Sequence, residues 1–507
     1  MSFHALGRRK SIVVVSVAVV VAYAFSLGAC VKTAPFRIVQ WDESGNAKYV
    51  TCEPDPYGKV SNPNCITAQR ERSDHYDLLF AEFDDQGWLN SGPPYAPLDL
   101  SGKTVHKDAM DVIQNYLEDQ ERASRHLILV TYVHGWKHNA SVDDQNVADF
   151  RRLLATIDSK IHQERPLQST DGDVLNVLYP RVVGIYLGWR GDSVNGPDFL
   201  KNVSFYARKS AAHRVATGEI RNILNYLFRY VSRRNDSTEK GASARCVSNR
   251  SNFCSVTATY IGHSFGGLIL LDALEGKIAD QISSDTSPPA PKYADNVVIL
   301  INPAVEASRL EPLFALSLKT PRQYPVPMLA AITTRSDSAT RTFFPLGRAL
   351  GTLGERTVSD AQAAATMRTI GHYEAYLTHD LRFVLGTDIS QVCNLPIGDL
   401  NPSLPPCPMT EDRWAWPRIW PASNQSGNRG GIALNKRDSV ADFLPIWNIA
   451  TDDSITSGHS DLSREELRAF VTELVADAQF FAKYGAGRPV PIMLTPQGMA
   501  AAVQPIR

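Results

Sequence analysis

The chain has 507 residues, 43% of them apolar and 21% charged, an ordinary globular composition too long for one small core. Its 52 Lys plus Arg balance 53 Asp plus Glu, so no basic field is available to hold nucleic acid and no acidic tail is present. Residues 229–241 are locally basic, but their mixed signs and small polar residues read as a solvated loop.

In chain order, Arg8, Arg9 and Lys10 precede an uncharged apolar run over 11–29, the pattern of an export signal. The paired arginines have flanks that fit a twin-arginine route poorly. The run ends in Gly28, Ala29 and Cys30. This resembles the bacterial lipobox, which implies that residues 1–30 are a signal and that Cys30 is lipidated. Lys32 stands where an aspartate would resemble an inner-membrane retention signal, so the outer membrane is favoured. The competing reading is a plain signal anchor, because the run is nearly long enough to span a bilayer. Both readings put the remainder outside the cytoplasm.

Beyond Cys30 there are six cysteines in three local pairs: Cys52 and Cys65, Cys246 and Cys254, Cys393 and Cys407. Fifteen connectivities are possible. Nearest-neighbour bridging is the simplest, and an oxidising compartment argues against free thiols. No CxxC occurs, so zinc and redox chemistry have no support.

Residues 31–125 read as an N-terminal extension with edge strands, among them 76–83. The core over 126–340 carries buried strands at 126–135, 182–189, 257–263, 296–305 and 325–334, and another follows at 443–451. Each is a continuous apolar run, as expected where both faces of a sheet are covered. Helical spacing joins them over 141–161, 211–231 and 265–282. Strands alternating with helices predict an α/β fold, a mostly parallel sheet flanked by helices. Residues 341–440 read as a cap-like insertion packed over one end of the sheet. Its tryptophans are read as packing. Residues 441–484 supply the last core strand and helix, and 485–507 form a loosely ordered tail.

Ser264 lies where an apolar strand passes into a helix, with Gly262 before it and Gly266 after. A sharp strand-to-helix turn presents a serine oxygen to substrate by holding the residue in an unfavourable backbone conformation. Side chains at Gly262 or Gly266 are expected to clash there. A buried hydroxyl, or one more than a water's width from any histidine, tells decisively against this reading. The base is expected beyond a strand's carboxyl end, and His459 occupies such a loop. There Ser463 and Glu466 read as a capping box for the next helix. Asp337 follows another strand end and is the candidate acid. His372 and His379 are the rival bases, assigned to a helix in the insertion. Asp380, Asp452 and Asp461 are the rival acids. His134 and His138 lack a third ligand nearby, so no metal and no cofactor is expected. The segment 189–198 either lines the pocket or ends a strand.

Residues 126–484 resemble the α/β-hydrolase superfamily in four features: His134-Gly135 after a strand, GHSFGG around Ser264, Asp337 after the penultimate strand and His459 after the last. Within it the chain is similar to exported bacterial lipase- or esterase-like lipoproteins. The resemblance implies Ser264 as nucleophile, His459 as base, Asp337 as orienting acid and the Trp136 and Phe265 amides as oxyanion donors. His134, Gly135 and His263 are expected against the substrate. The implied partners are an acyl ester, small or lipid, and a membrane reached through the lipid anchor. Thioester or amide cleavage, and a non-catalytic docking role, are the alternatives.

Overall fold

The computed structural model describes residues 34–44, 46–90, 108–123, 125–164, 180–191, 198–235, 256–284, 295–319, 326–345, 348, 356–385, 416, 418–441, 444–459 and 463–484. The proposed signal with Cys30, the cysteines Cys246, Cys254, Cys393 and Cys407, and the 485–507 tail lie outside them.

The N-terminal segment supplies three strands, β1 (Val50–Thr51), β2 (Arg70–Arg72) and β3 (Tyr76–Phe83). Next come β4 (Leu127–Val133), β5 (Arg181–Trp189), β6 (Val256–His263), β7 (Asn296–Ile301) and β8 (Leu329–Thr334). The remaining strands are β9 (His379–Leu385), β10 (Arg418–Ser423), β11 (Arg429–Lys436) and β12 (Ile446–Thr451). All twelve belong to one sheet, ordered β1-β2-β3-β5-β4-β6-β7-β8-β12-β9-β11-β10. From β3 through β12 to β9 every neighbouring pair is parallel. Antiparallel pairing is confined to the two flanks.

The central strands are buried along their whole length. Helices on both faces explain why. One face carries α1 (Ala109–Arg122), α3 (Asp198–Thr217), α4 (Ile220–Asn235), α5 (Phe265–Ser284) and α6 (Glu311–Lys319). The other carries α2 (Gln145–Glu164) and α8 (Glu465–Tyr484), whose Phe150, Leu154, Phe470 and Leu474 pack with the opposite side chains of the same strands. A short helix, α7 (Asp360–Met367), precedes β9. Among the described residues no helix is long and apolar enough to cross a membrane.

The structure departs from the sequence reading in four places. The helix expected over 211–231 is two helices, α3 and α4, because the chain breaks at Gly218 and the Glu219 amide donates to the Gly87 carbonyl at 2.8 Å. The basic stretch read as loop from 229 is helical as far as Asn235, with Arg234 buried. Helix α8 starts at Glu465, so Ser463 stands outside it. Glu466 accepts from the Gln425 amide at 3.0 Å. The described strands of the 341–440 insertion do not lie over the sheet's end. They extend the sheet itself, β9 pairing with β12 and then with β11, and β11 with β10. Among the described strands the outermost, β10, contains Pro421, a residue that sheets tolerate at an edge. Trp420 packs edge-on against Phe470 at 5.6 Å, as the packing reading expects. Cys52 and Cys65 form a disulfide.

Candidate active site

Strand β6 ends at His263, and α5 begins at Phe265. One residue is left to make the turn. Ser264 makes it with φ 55°, a left-handed conformation that few side chains adopt. Its amide donates to the Ile301 carbonyl at 2.9 Å, which pins the turn to the end of β7. The flanking glycines are obligatory on steric grounds. A Cβ on Gly266 would fall 2.0 Å from the Val133 carbonyl oxygen, and one on Gly262 would fall 2.6 Å from the Gly266 carbonyl oxygen.

The loop after β12 brings His459 over this turn. His459 Nε2 lies 2.7 Å from Ser264 Oγ, and His459 Nδ1 lies 2.8 Å from Asp337 Oδ2. Asp337 follows β8, which pairs directly with β12. That pairing brings together residues 122 apart in sequence. The three side chains proposed from sequence therefore form one hydrogen-bonded line. Asp337 is fully buried, which on its own raises a carboxyl's pKa. The hydrogen bond and charge of His459, with donation from Thr340, outweigh burial and hold the group below its ordinary value. It is a carboxylate at neutral pH.

Ser264 has no exposed surface. Burial, the first of the two outcomes that tell against the sequence reading, is present, whereas the second, separation from any histidine, is not, since His459 Nε2 stands 2.7 Å away. The imidazole of His459 is 18% exposed, and Asp337 is sealed beneath it. Solvent thus reaches these three side chains only at the histidine, and the serine oxygen is covered.

The oxyanion candidates lie beside the turn. Phe265 is the first residue of α5, so its amide has no acceptor inside the helix. The Gly135–Trp136 turn runs so close that a Cβ on Gly135 would sit 2.7 Å from Ser264 Cβ. Phe205 joins the two, its ring 5.3 Å from that of Trp136 and 4.8 Å from that of Phe265.

Two residues expected against the substrate are instead buried supports. His134 accepts from the Trp189 amide through Nε2 at 2.9 Å and donates through Nδ1 to its neighbour's carbonyl on Gly135 at 3.0 Å. Burial lowers it to about 4, so it stays neutral and holds the turn. His263 donates from Nε2 to the His459 carbonyl at 2.7 Å. Burial, reinforced by nearby His459 and His138, lowers it to about 3.

Several partners escaped the sequence reading. Asn302, at φ 44°, donates to the carbonyls of Gly458 and His459 at 3.1 and 3.0 Å. Ser336 accepts from the Gly458 amide at 3.1 Å. Together with His263 they fix the backbone that carries His459. Only their position just past the ends of β7 and β8 could have flagged them. His138 pairs with Asp144 at 3.0 Å.

The rival bases do not replace His459. His379 opens β9, buried between the Trp416 and Trp447 rings at 4.9 and 4.8 Å. His372 ends a single 3-10 turn over Ile370–His372, not a helix, and reaches Thr340 instead of Ser264. Of the rival acids, Asp380 pairs with Arg437 at 2.9 Å and Asp452 caps its own turn through the Ser454 amide at 2.9 Å. Asp461 lies outside the described residues. Among the described residues no cluster of three or more His, Cys, Asp or Glu could hold a metal ion.

A mostly parallel α/β sheet with a Ser-His-Asp line at its carboxyl edge defines the molecule at this level. No family model, curated protein or solved structure matches the chain.

Proposed function

We propose that the chain is a serine hydrolase of the α/β-hydrolase type that cleaves carboxylic esters. The observation that carries this reading is the unbroken line from Ser264 Oγ through His459 to Asp337, with the serine at positive φ in a strand-to-helix turn. In the proposed cycle Ser264 Oγ bonds to the ester carbonyl carbon as its proton passes to His459 Nε2. Asp337 accepts from Nδ1 and stabilises the imidazolium. The carbonyl π pair moves onto oxygen and is held by the Phe265 and Trp136 amides. Collapse breaks the bond to the alkoxy group, which leaves with the Nε2 proton as an alcohol. Water repeats the sequence on the acyl-enzyme and releases the acid. Losing one oxyanion donor typically costs about 10²–10³ in kcat. Thioester or amide cleavage follows the same steps with a different leaving group.

The test is covalent labelling of the purified folded protein by a fluorophosphonate, followed by a panel of chromogenic esters of varied chain length. The expected result is stoichiometric labelling that disappears in Ser264→Ala, with hydrolysis falling by on the order of 10⁶. A second reading, a docking protein that keeps the fold without the reaction, is favoured by the complete burial of Ser264. A folded wild-type chain that takes no label and cleaves no ester decides for it.

An envelope location is part of the same proposal. It rests on the lipobox-like Gly28-Ala29-Cys30 and is supported by the Cys52–Cys65 disulfide.

A further inference from the structure

Asp337 serves more than one partner. Its Oδ1 accepts from the amides of Ala339 and Thr340 at 2.9 and 3.2 Å. Its Oδ2, the atom that meets His459, also accepts from Thr340 Oγ1. On the far side of that hydroxyl stands His372, with Nε2 at 3.0 Å from Thr340 Oγ1. A hydroxyl has one proton. Since it is given to Asp337, only a lone pair faces His372, and His372 must donate from Nε2. The line of hydrogen bonds thus has five members: His372, Thr340, Asp337, His459 and Ser264.

His372 is held tightly enough to impose this. Its 3-10 turn is gripped by three neighbouring parts of the sheet. The Ile370 amide donates to the Val305 carbonyl at 3.0 Å, beyond β7. Asn448 on β12 donates to the Ile370 carbonyl at 2.9 Å. Gly371 lies so close to β8 that a Cβ there would fall 2.0 Å from Thr333 Oγ1. The charged groups facing the imidazole are Asp337, which favours its protonation, and Arg341, which opposes it. Burial, with Arg341 acting in the same direction, outweighs Asp337 and lowers its pKa, so His372 is a neutral donor.

We propose that His372 is a positioning residue for the acid: through Thr340 it fixes the Asp337 carboxylate in the orientation that receives the His459 Nδ1 proton. The kinetic consequence rests on the hydrolase reading, while the geometric claim does not. The inserted segment between acid and base therefore returns to the site and completes it from behind.

The experiment compares wild type, His372→Ala, His372→Gln, Thr340→Val and the His372→Ala/Thr340→Val double variant. Two readouts are taken on each full chain: the pH profile of ester hydrolysis and the titration of the His459 ring by NMR. Thr340→Val removes the Oγ1 donor from Asp337, and His372→Ala frees the Thr340 hydroxyl to turn away from it. The carboxylate then loses the orientation that receives the Nδ1 proton, the imidazolium is less well stabilised, and the His459 titration and the acidic limb of kcat/KM both move to lower pH. His372→Ala and Thr340→Val each lower kcat by about tenfold with KM little changed. The double variant falls no further than either single one, because both cut the same link. His372→Gln keeps a side-chain N–H donor and restores the wild-type profile. If His372→Ala does not fold, Thr340→Val cuts the link from the other side and decides alone. Unchanged kcat together with an unchanged His459 titration in a folded His372→Ala or Thr340→Val overturns the proposal. Should wild type hydrolyse no ester, the hydrolase reading fails, and the NMR titration still decides the geometric claim: a shift in the Ala variant absent from the Gln variant upholds it, and no shift sinks it.

Discussion

Ser264 keeps its left-handed backbone because the main chain around it leaves no alternative. Its amide is bound to Ile301, and its carbonyl accepts from Gly267, Leu268 and Ala304. Such a conformation costs a non-glycine residue on the order of 1 kcal/mol or more, a cost that persists only where surrounding contacts enforce it. Glycine does not bear it. Ser264→Gly is therefore expected to abolish fluorophosphonate labelling and to raise the unfolding free energy by about 1 kcal/mol, whereas Ser264→Ala abolishes labelling without that gain. Urea unfolding of the two variants measures the difference, and equal midpoints would refute the strain argument. At this scale the sequence was legible where steric need dictates residue type. Gly262, Ser264 and Gly266 announce themselves by spacing, and His459 by following a strand. Asn302, Thr340 and Ser336 carry no such spacing, because the hydrogen bonds they make depend on which strand ends become neighbours. His134 and His263 looked like substrate contacts for the same reason. Proximity to Ser264 was readable, but the direction of their rings was not.

Among elements, the junction between the N-terminal segment and α2 depends on a buried ionic trio. Glu71 on β2 accepts from Arg37 Nη1 at 2.9 Å and from Arg151 Nη2 and Nε at 2.7 and 2.9 Å, and all three side chains are sealed from water. A buried ionic group whose partner is removed costs about 3–5 kcal/mol, because the remaining charge has been taken out of water uncompensated. Glu71→Gln leaves two guanidiniums in that state. The unfolding free energy from urea titration is expected to fall by about that amount, and a loss under about 1 kcal/mol would count against the trio as a structural clamp. Nothing in the sequence predicts it, since a Glu in a short polar strand ordinarily faces solvent. The core strands, by contrast, were readable to within a few residues. Both faces of β4, β6, β7, β8 and β12 are covered, so each appears as an uninterrupted apolar run. Strands β9 to β11 are partly exposed and carry mixed residues such as Arg418, Pro421 and Arg429, so no apolar run marked them as part of the sheet.

At the scale of the whole molecule, one sheet, with twelve strands among the described residues, carries everything described, and its two flanks are made by segments outside the alternating strand–helix rhythm. The N-terminal flank is short-stranded and is closed by the Cys52–Cys65 bridge, which spans 13 residues. In the chain-entropy account a loop of that size contributes about 3 kcal/mol through the unfolded state. A paired Cys52→Ser/Cys65→Ser variant is expected to lose about 2–3 kcal/mol by thermal or urea unfolding while its Ser264 still takes the label. Identical midpoints for the variant and the oxidised wild type would exclude that contribution. The α/β class and the parallel centre were legible from alternating strand and helix patterns. The membership of the insertion in the sheet was not, because pairing partners far apart in sequence leave no local periodicity.

The position of β12 bears on how the protein comes into being. It is an interior strand, lying between β8 and β9, yet among the described strands it is the last in chain order to be synthesised, and His459 follows it. Up to that moment a nascent chain holds Ser264 without His459 and a gap among the described strands of its sheet. Closing of that gap and assembly of the Ser264–His459–Asp337 line thus coincide, and copies truncated before residue 446 lack the line however well their first half has folded.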